Sequence, residues 1–185
     1  GEEHKITLPN GDEFTIPENL YMIGTMNDID RSVESMDFAL RRRFAWYEVS
    51  AEESKGIIDE KVQNTEIADL LKKSMDAVNG LITKKLGSEY QLGGAYFAKA
   101  VKTKAYKPDG TPDTQKLKDE LWKNFIRVIL TEYLRGRKDK ENELKKLEEA
   151  FNKPFDDAAE SKNGDKKADS SGGTGGSDPD SDTEA

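Results

Sequence analysis

Near the beginning of this chain, three groups of side chains have the chemistry to handle phosphate. Asn27 closes the apolar run Leu20-Tyr21-Met22-Ile23-Gly24-Thr25-Met26. An amide at the carboxyl end of a buried strand lies where α/β sheets bind ligands, and there it can orient a water or touch a γ-phosphate. Asp30 and Arg31 come next, then Arg41, Arg42 and Arg43 in succession. Neighbouring helix positions are about 100° apart, so at most two of these three arginines can face one target. A guanidinium is planar and permanently charged, which suits it to phosphoryl oxygens. Each group also has a plainer reading. Asn27 can cap the following turn, Asp30 and Arg31 can form a surface ion pair worth under about 1 kcal/mol, and the arginines can end a solvated helix or grip DNA phosphates. Three adjacent cations without a broader basic stripe argue against the DNA grip.

The elements that would position these residues follow from patterning. Lys5 to Leu8 and Glu13 to Ile16 read as strands around Pro9-Asn10-Gly11-Asp12, and Asn-Gly supplies the positive φ of a tight hairpin. Leu20 to Met26 is nearly all apolar, as expected of a parallel strand buried on both faces. Met36 to Arg43 reads as a helix with cations at its C-terminal end, and Phe44 to Val49 as a second strand. Strand, helix, strand is a βαβ crossover, so the expected class is α/β.

Everything after about Ala51 reads as helical. Ile67, Leu70, Leu71, Met75, Val78, Leu81 and Ile82 follow a 3.6-residue period. Leu117, Leu121, Trp122, Phe125, Ile126, Ile129, Leu130 and Tyr133 form a broader stripe on a helix from Thr114 to Arg135, stopped by Gly136. Lys140 to Phe151 carries Leu144, Leu147 and Phe151. Together these predict a small helical bundle, with a turn at Leu92 to Phe97 and a polar loop from Lys107 to Pro112.

The chain has 185 residues, of which 36% are charged and 34% hydrophobic, and its net charge is −8. Nine acids against three lysines between Asp156 and Ala185 give that segment −6, leaving −2 for the rest. Ser170 to Ser177 is rich in glycine and serine, and this composition predicts a disordered acidic tail. There is no cysteine and one histidine, His4, which removes disulfides, thiolate metal sites and a histidine zinc site. A reducing, cytoplasmic setting fits, and no apolar run approaches the roughly 20 residues that cross a bilayer. The first residue is glycine rather than methionine, which we read as a sign of processing or of a fragment.

Pro17 to Phe44, PENLYMIGTMNDIDRSVESMDFALRRRF, closely resembles the McrB-like branch of AAA+ NTPases, the GTP-driven subunits of modification-dependent restriction systems. In that family a strand ends in Met-Asn-x-x-Asp-Arg and a helix ends in Arg-Arg-Arg-Phe. The resemblance implies that Asn27 is the sensor residue. It implies that Asp30 and Arg31 help position the attacking water and receive a nuclease partner, and that Arg42 or Arg43 of the Arg41 to Arg43 cluster reaches a neighbouring subunit's nucleotide. Leu92 to Phe97 resembles the family's Ile-Gly-His-Ser-Tyr-Phe turn, with Gly94 and Ala95 in place of its polar pair. Trp122 to Gly136 resembles the last lid helix.

The implied organisation is the C-terminal part of an AAA+ αβα core over 1–50, comprising β-hairpin, sensor strand, helix and strand. A helical lid follows over 51–153 and an acidic tail over 154–185. The implied cofactors are GTP or ATP with Mg²⁺ in the intact protein. The implied partners are identical subunits in a ring, an McrC-like nuclease, and DNA reached through other domains, with no membrane contact.

The 185 residues contain no Gly-x-x-x-x-Gly-Lys-Ser/Thr, so the backbone nest and lysine that hold β- and γ-phosphates are missing. Lys55-Gly56-Ile57-Ile58-Asp59-Glu60 imitates a magnesium-binding Walker B strand. With only two apolar residues before the acids, and a position after the sensor strand, Asp59 and Glu60 read as an exposed helix turn. Asp178, Asp180, Asp182 and Glu184 alternate like calcium-loop ligands but lack the loop's glycine and distal glutamate, and they read as a solvated tail. The expectation is therefore a fragment that binds no nucleotide tightly alone. The alternative is a non-catalytic module that docks on a motor ring or its nuclease.

Overall fold

A computed structural model describes residues 5–26, 42–105 and 111–168. The chain divides into two units, Gly1–Arg43 and Phe44–Ala185.

In the first unit, β1 (Lys5–Thr7) pairs antiparallel with β2 (Glu13–Thr15), Ile6 opposite Phe14. The turn is the expected one. Gly11 has φ 87°, its N–H donates to the Leu8 carbonyl at 2.9 Å, and the Leu8 N–H donates to the Asp12 carbonyl at 2.8 Å. By the two-residue alternation of a strand, Ile6 and Phe14 share one face and Lys5, Thr7, Glu13 and Thr15 the other.

The expected strand Leu20 to Met26 does not form. The segment has no regular secondary structure, and Tyr21 and Ile23 are 87% and 95% exposed. Phe44 to Val49, the second expected strand, likewise follows an Arg42–Phe44 turn with no regular structure, and Tyr47 is 78% exposed. A doubly buried strand exists only between neighbours that complete its hydrogen bonds and layers that cover its faces. Among the described residues the only sheet is β1–β2, so neither run finds such neighbours. Most of the expected helix at Met36 to Arg43 lies outside the described residues. Among the described residues the molecule is thus mostly helical with one small two-stranded sheet.

The second unit is built as the periodicity predicts. It comprises α1 (Gly56–Lys61), α2 (Thr65–Lys85), α3 (Gly94–Phe97), α4 (Thr114–Leu121), a π-helical segment (Trp122–Ile126), α5 (Arg127–Tyr133) and α6 (Lys140–Ala168). Asn64 and Asp113 cap α2 and α4, accepting hydrogen bonds from the Ile67 and Lys116 N–H groups at 3.0 and 3.1 Å, which satisfies donors that a helix start leaves unpaired. Gly136, with φ 82°, follows α5 in a left-handed conformation that suits glycine.

The core lies along the seam of α2 and α6. Leu71, Met75, Val78 and Ile82 on one side meet Leu144, Leu147, Phe151 and Phe155 on the other, all buried in one cluster. Phe151 is fully buried, with ring centroids of Trp122, Phe155 and Phe97 at 5.4, 5.8 and 6.3 Å. Its carbonyl also accepts the buried Ser74 hydroxyl at 2.8 Å.

Two departures from simple helices have packing causes. The step from Leu121 to Ile126 is five residues, yet both are fully buried. In a continuous α-helix they would point about 140° apart, and the wider π turn returns them to one face. Helix α6 runs past Pro154 to Ala168, beyond the point where composition placed the start of the tail. Proline removes one helical hydrogen bond, but Phe155 is buried and Asp156 pairs with the nearly buried Lys118 at 2.7 Å, so tertiary contacts carry the helix through. Among the described residues no helix is long and apolar enough to cross a membrane.

Replacing Phe151 with alanine should destabilise the helical unit by about 3–5 kcal/mol, the cost of emptying a large buried aromatic site. Leu20→Ala, at an exposed position, should change stability by less than about 0.5 kcal/mol. Urea unfolding of the two variants checks both values.

Candidate functional site

Of the residues singled out from sequence, Asn27, Asp30, Arg31 and Arg41 lie outside the described residues. Arg42 and Arg43 are exposed on the Arg42–Phe44 turn. Both are thus open to an external anion, and the described residues assemble no cluster of these candidates.

The described feature closest to the expected chemistry is the turn at Leu92 to Phe97. It is clamped from two sides. Asn79 of α2 is buried and its amide pairs with Leu92 as a second backbone would, donating to the Leu92 carbonyl at 2.9 Å and accepting the Leu92 N–H at 2.8 Å. Ser54 accepts the Gly94 N–H at 2.8 Å and donates its hydroxyl proton to the Ala51 carbonyl at 2.6 Å. A Cβ on Gly94 would lie 2.2 Å from the Ser54 carbonyl oxygen, so only glycine admits this approach. The Leu92 N–H and carbonyl and the Gly94 N–H are therefore spent inside the fold, and Gly94 and Ala95 bring no polar side chain. Beyond it, the Lys99 ammonium lies over the rings of Tyr96 and Phe125, at 4.7 and 5.4 Å from their centroids, which ties the turn to the π segment by cation–π attraction.

Asp59 and Glu60 fall on α1 and are exposed, as expected of a helix turn. Asp59 accepts from Lys72 at 2.8 Å and Glu60 from Lys61 at 2.8 Å. The Asp59 and Asp69 carboxylates raise the Lys72 pKa, and the Lys61 ammonium lowers that of Glu60. Among the described residues no group of three or more histidine, cysteine or acidic side chains could hold a metal ion.

One local device escaped the sequence reading, although its signal is present. Ser50-x-x-Glu53 is a capping box. The Glu53 carboxylate accepts the Ser50 N–H at 2.9 Å, the Ser50 hydroxyl accepts the Glu53 N–H at 3.1 Å, and the Tyr47 hydroxyl donates to Glu53 at 2.9 Å. It fixes where the extended segment after Phe44 turns into the helical unit. These bonds to the charged form, the Ser50 N–H first and the Tyr47 hydroxyl next, hold the Glu53 pKa below its ordinary 4.5. The same pair raises the Tyr47 pKa.

Compared with known proteins, the chain is 34% identical over 139 residues to the type IV methyl-directed restriction enzyme EcoKMcrB subunit of Escherichia coli strain K12. The match covers 69% of this chain and 28% of that relative, so the chain spans under a third of the relative's length. No family model and no solved structure matches. The match establishes an McrB-like relationship, partial on both sides.

Two outcomes test this geometry. Gly94→Ala should cost about 1–3 kcal/mol through backbone collision, whereas Ala95→Ser at the exposed neighbouring position should stay within about 0.5 kcal/mol, both by denaturant titration. A depressed carboxyl pKa makes the capping box fully stabilising above the ordinary glutamate value, and that stabilisation is lost as pH falls through the lower folded value. Carbon-detected NMR should place the Glu53 midpoint below 4.5 and show it rising in Tyr47→Phe, which removes the hydroxyl donor. A midpoint unchanged by that substitution would remove the Tyr47 bond from the account.

Proposed function

We propose that this McrB-like chain is the C-terminal part of an AAA+ nucleotide hydrolase that drives modification-dependent DNA restriction. Residues 1–50 supply the end of the αβα core, 51–153 the lid, extended by α6, and the remainder the acidic tail. The observation that carries this reading is the likeness to a methyl-directed restriction subunit over most of the chain. The two exposed apolar runs support it, because Leu20 to Met26 and Phe44 to Val49 have the composition of sheet strands and lack a sheet to join.

In the assembled protein Asn27 orients the attacking water or contacts the γ-phosphate. Asp30 and Arg31 hold that water and meet an McrC-like nuclease. Arg42 or Arg43 reaches across a ring boundary to the neighbouring subunit's nucleotide, where a fixed positive charge lowers the energy of the transferring phosphoryl group. GTP is the nucleotide the resemblance implies, with ATP as the other choice. The phosphates and Mg²⁺ would be held by residues outside these 185, since no phosphate-binding loop is among them. DNA would be met through other domains.

A second reading, a non-catalytic module that docks on such a ring or its nuclease, is favoured by one feature: the Leu92 N–H and carbonyl and the Gly94 N–H in the turn are already bonded within the helical unit. The coding sequence upstream separates the two. An in-frame Walker A and Walker B would support the motor, and a start codon at this position the docking module.

In the intact ring, Asn27→Ala, and separately the pair Arg42→Ala and Arg43→Ala, should lower steady-state turnover by about 10² to 10⁵, the range for losing groups that stabilise transition-state charge. The 185-residue chain alone should show no hydrolysis above background. Turnover left unchanged by both sets of substitutions rejects the site assignment.

A further inference from the structure

Between α2 and α6 lies a groove of about 360 Å³. Leu70 and Ala77 from α2 and Pro154 and Ala158 from α6 give it an apolar floor, and Lys73 and Lys153 stand on its two walls. Asp157 and Ser161 complete the α6 side. Both lysines are exposed, and neither has an ion-pair partner among the described residues. An apolar slot between two exposed cations fits a short apolar side chain with an acid on each side.

The chain carries such a segment. In residues 169–185, which lie outside the described residues, three residues have an acid on either side, Pro179, Ser181 and Thr183, and of these only Pro179, in Asp178-Pro179-Asp180, is apolar. We propose that this segment docks in the α2–α6 groove, Pro179 on the apolar floor and the two aspartates beside Lys73 and Lys153.

The reach is right. From the groove's middle near Asp157 to the end of α6 at Ala168 the helix advances about 16 Å at its standard rise. The glycine- and serine-rich stretch from Asp169 to Asp178 has, for its composition, a root-mean-square span of about 17 Å. A linker whose mean span matches the gap maximises the effective concentration of its end, on the order of millimolar, so even a contact of millimolar strength is occupied much of the time. Asp157 on the α6 wall disfavours a third acid there, which limits the contact to two. The contact is electrostatic in part and therefore weakens with salt. It covers the outer seam of the helical unit until a stronger acidic competitor displaces it.

The test uses the full chain and backbone NMR at low salt. The variant Asp178→Asn, Pro179→Ser, Asp180→Asn should shift the amides of Ala77, Ala158 and Ser161, and adding salt to about 0.5 M should move the wild-type amides the same way. Lys73→Glu with Lys153→Glu should abolish the response to the tail variant, and adding Asp178→Lys with Asp180→Lys to the charge-reversed pair should restore salt-sensitive shifts of the groove amides. Groove amides that ignore the tail variant overturn the proposal. So do amides that respond only as protein concentration rises, which would assign the groove to a second copy, and a charge-reversed pair that leaves the tail response intact.

Discussion

The helical unit depends on one side chain, Phe151, lying at the crossing of everything else. Its ring meets Trp122 from the π segment, Phe97 from the lid turn and Phe155 from its own helix, and its carbonyl holds Ser74 of α2. Because protein interiors are packed to crystal-like density, these contacts fix the relative depth of α2, α3, α6 and the π segment at once. The Asn79 and Ser54 clamps can then act on a turn already held at the right height. The Lys118–Asp156 pair ties α4 to α6 just beyond Phe155, where Pro154 would otherwise weaken the helix.

The legible and illegible parts of this fold separate along a physical line. Helices announced themselves because their hydrogen bonds are local and their buried stripe repeats within one element. Ile67 through Ile82 and Leu144 through Phe151 were therefore readable, as was the Asn-Gly hairpin. Leu20 to Met26 and Phe44 to Val49 were read as strands from composition alone. A strand's hydrogen bonds belong to its neighbours, which no local pattern supplies. The extension of α6 past Pro154 was hidden for a related reason, since a buried Phe155 outweighs a local breaker only once the facing helix is known.

For the candidate site, the chemistry was visible as residue types, Asn27, Asp30, Arg31 and the arginines, while its geometry was not. The lid turn shows the converse. Gly94 looked like a loss of polar function, and the structure gives its reason in the 2.2 Å approach to the Ser54 carbonyl oxygen that any Cβ would make. Asn79 sat within a helical stripe and looked unremarked, although a buried amide in such a place must find partners. Ser50-x-x-Glu53 is a capping box whose signal is local and therefore legible in the sequence.

The π segment has a consequence for how this region tolerates change. With one wide turn between Leu121 and Ile126, the upstream and downstream halves of the helix are phased separately against the core. An inserted or deleted residue before Trp122 can be taken up by tightening or widening that single turn, while Leu130 and Leu134 keep their inward orientation. Length variation among relatives should therefore concentrate at this point in the helix, and the inward-facing leucines beyond it should hold a fixed spacing.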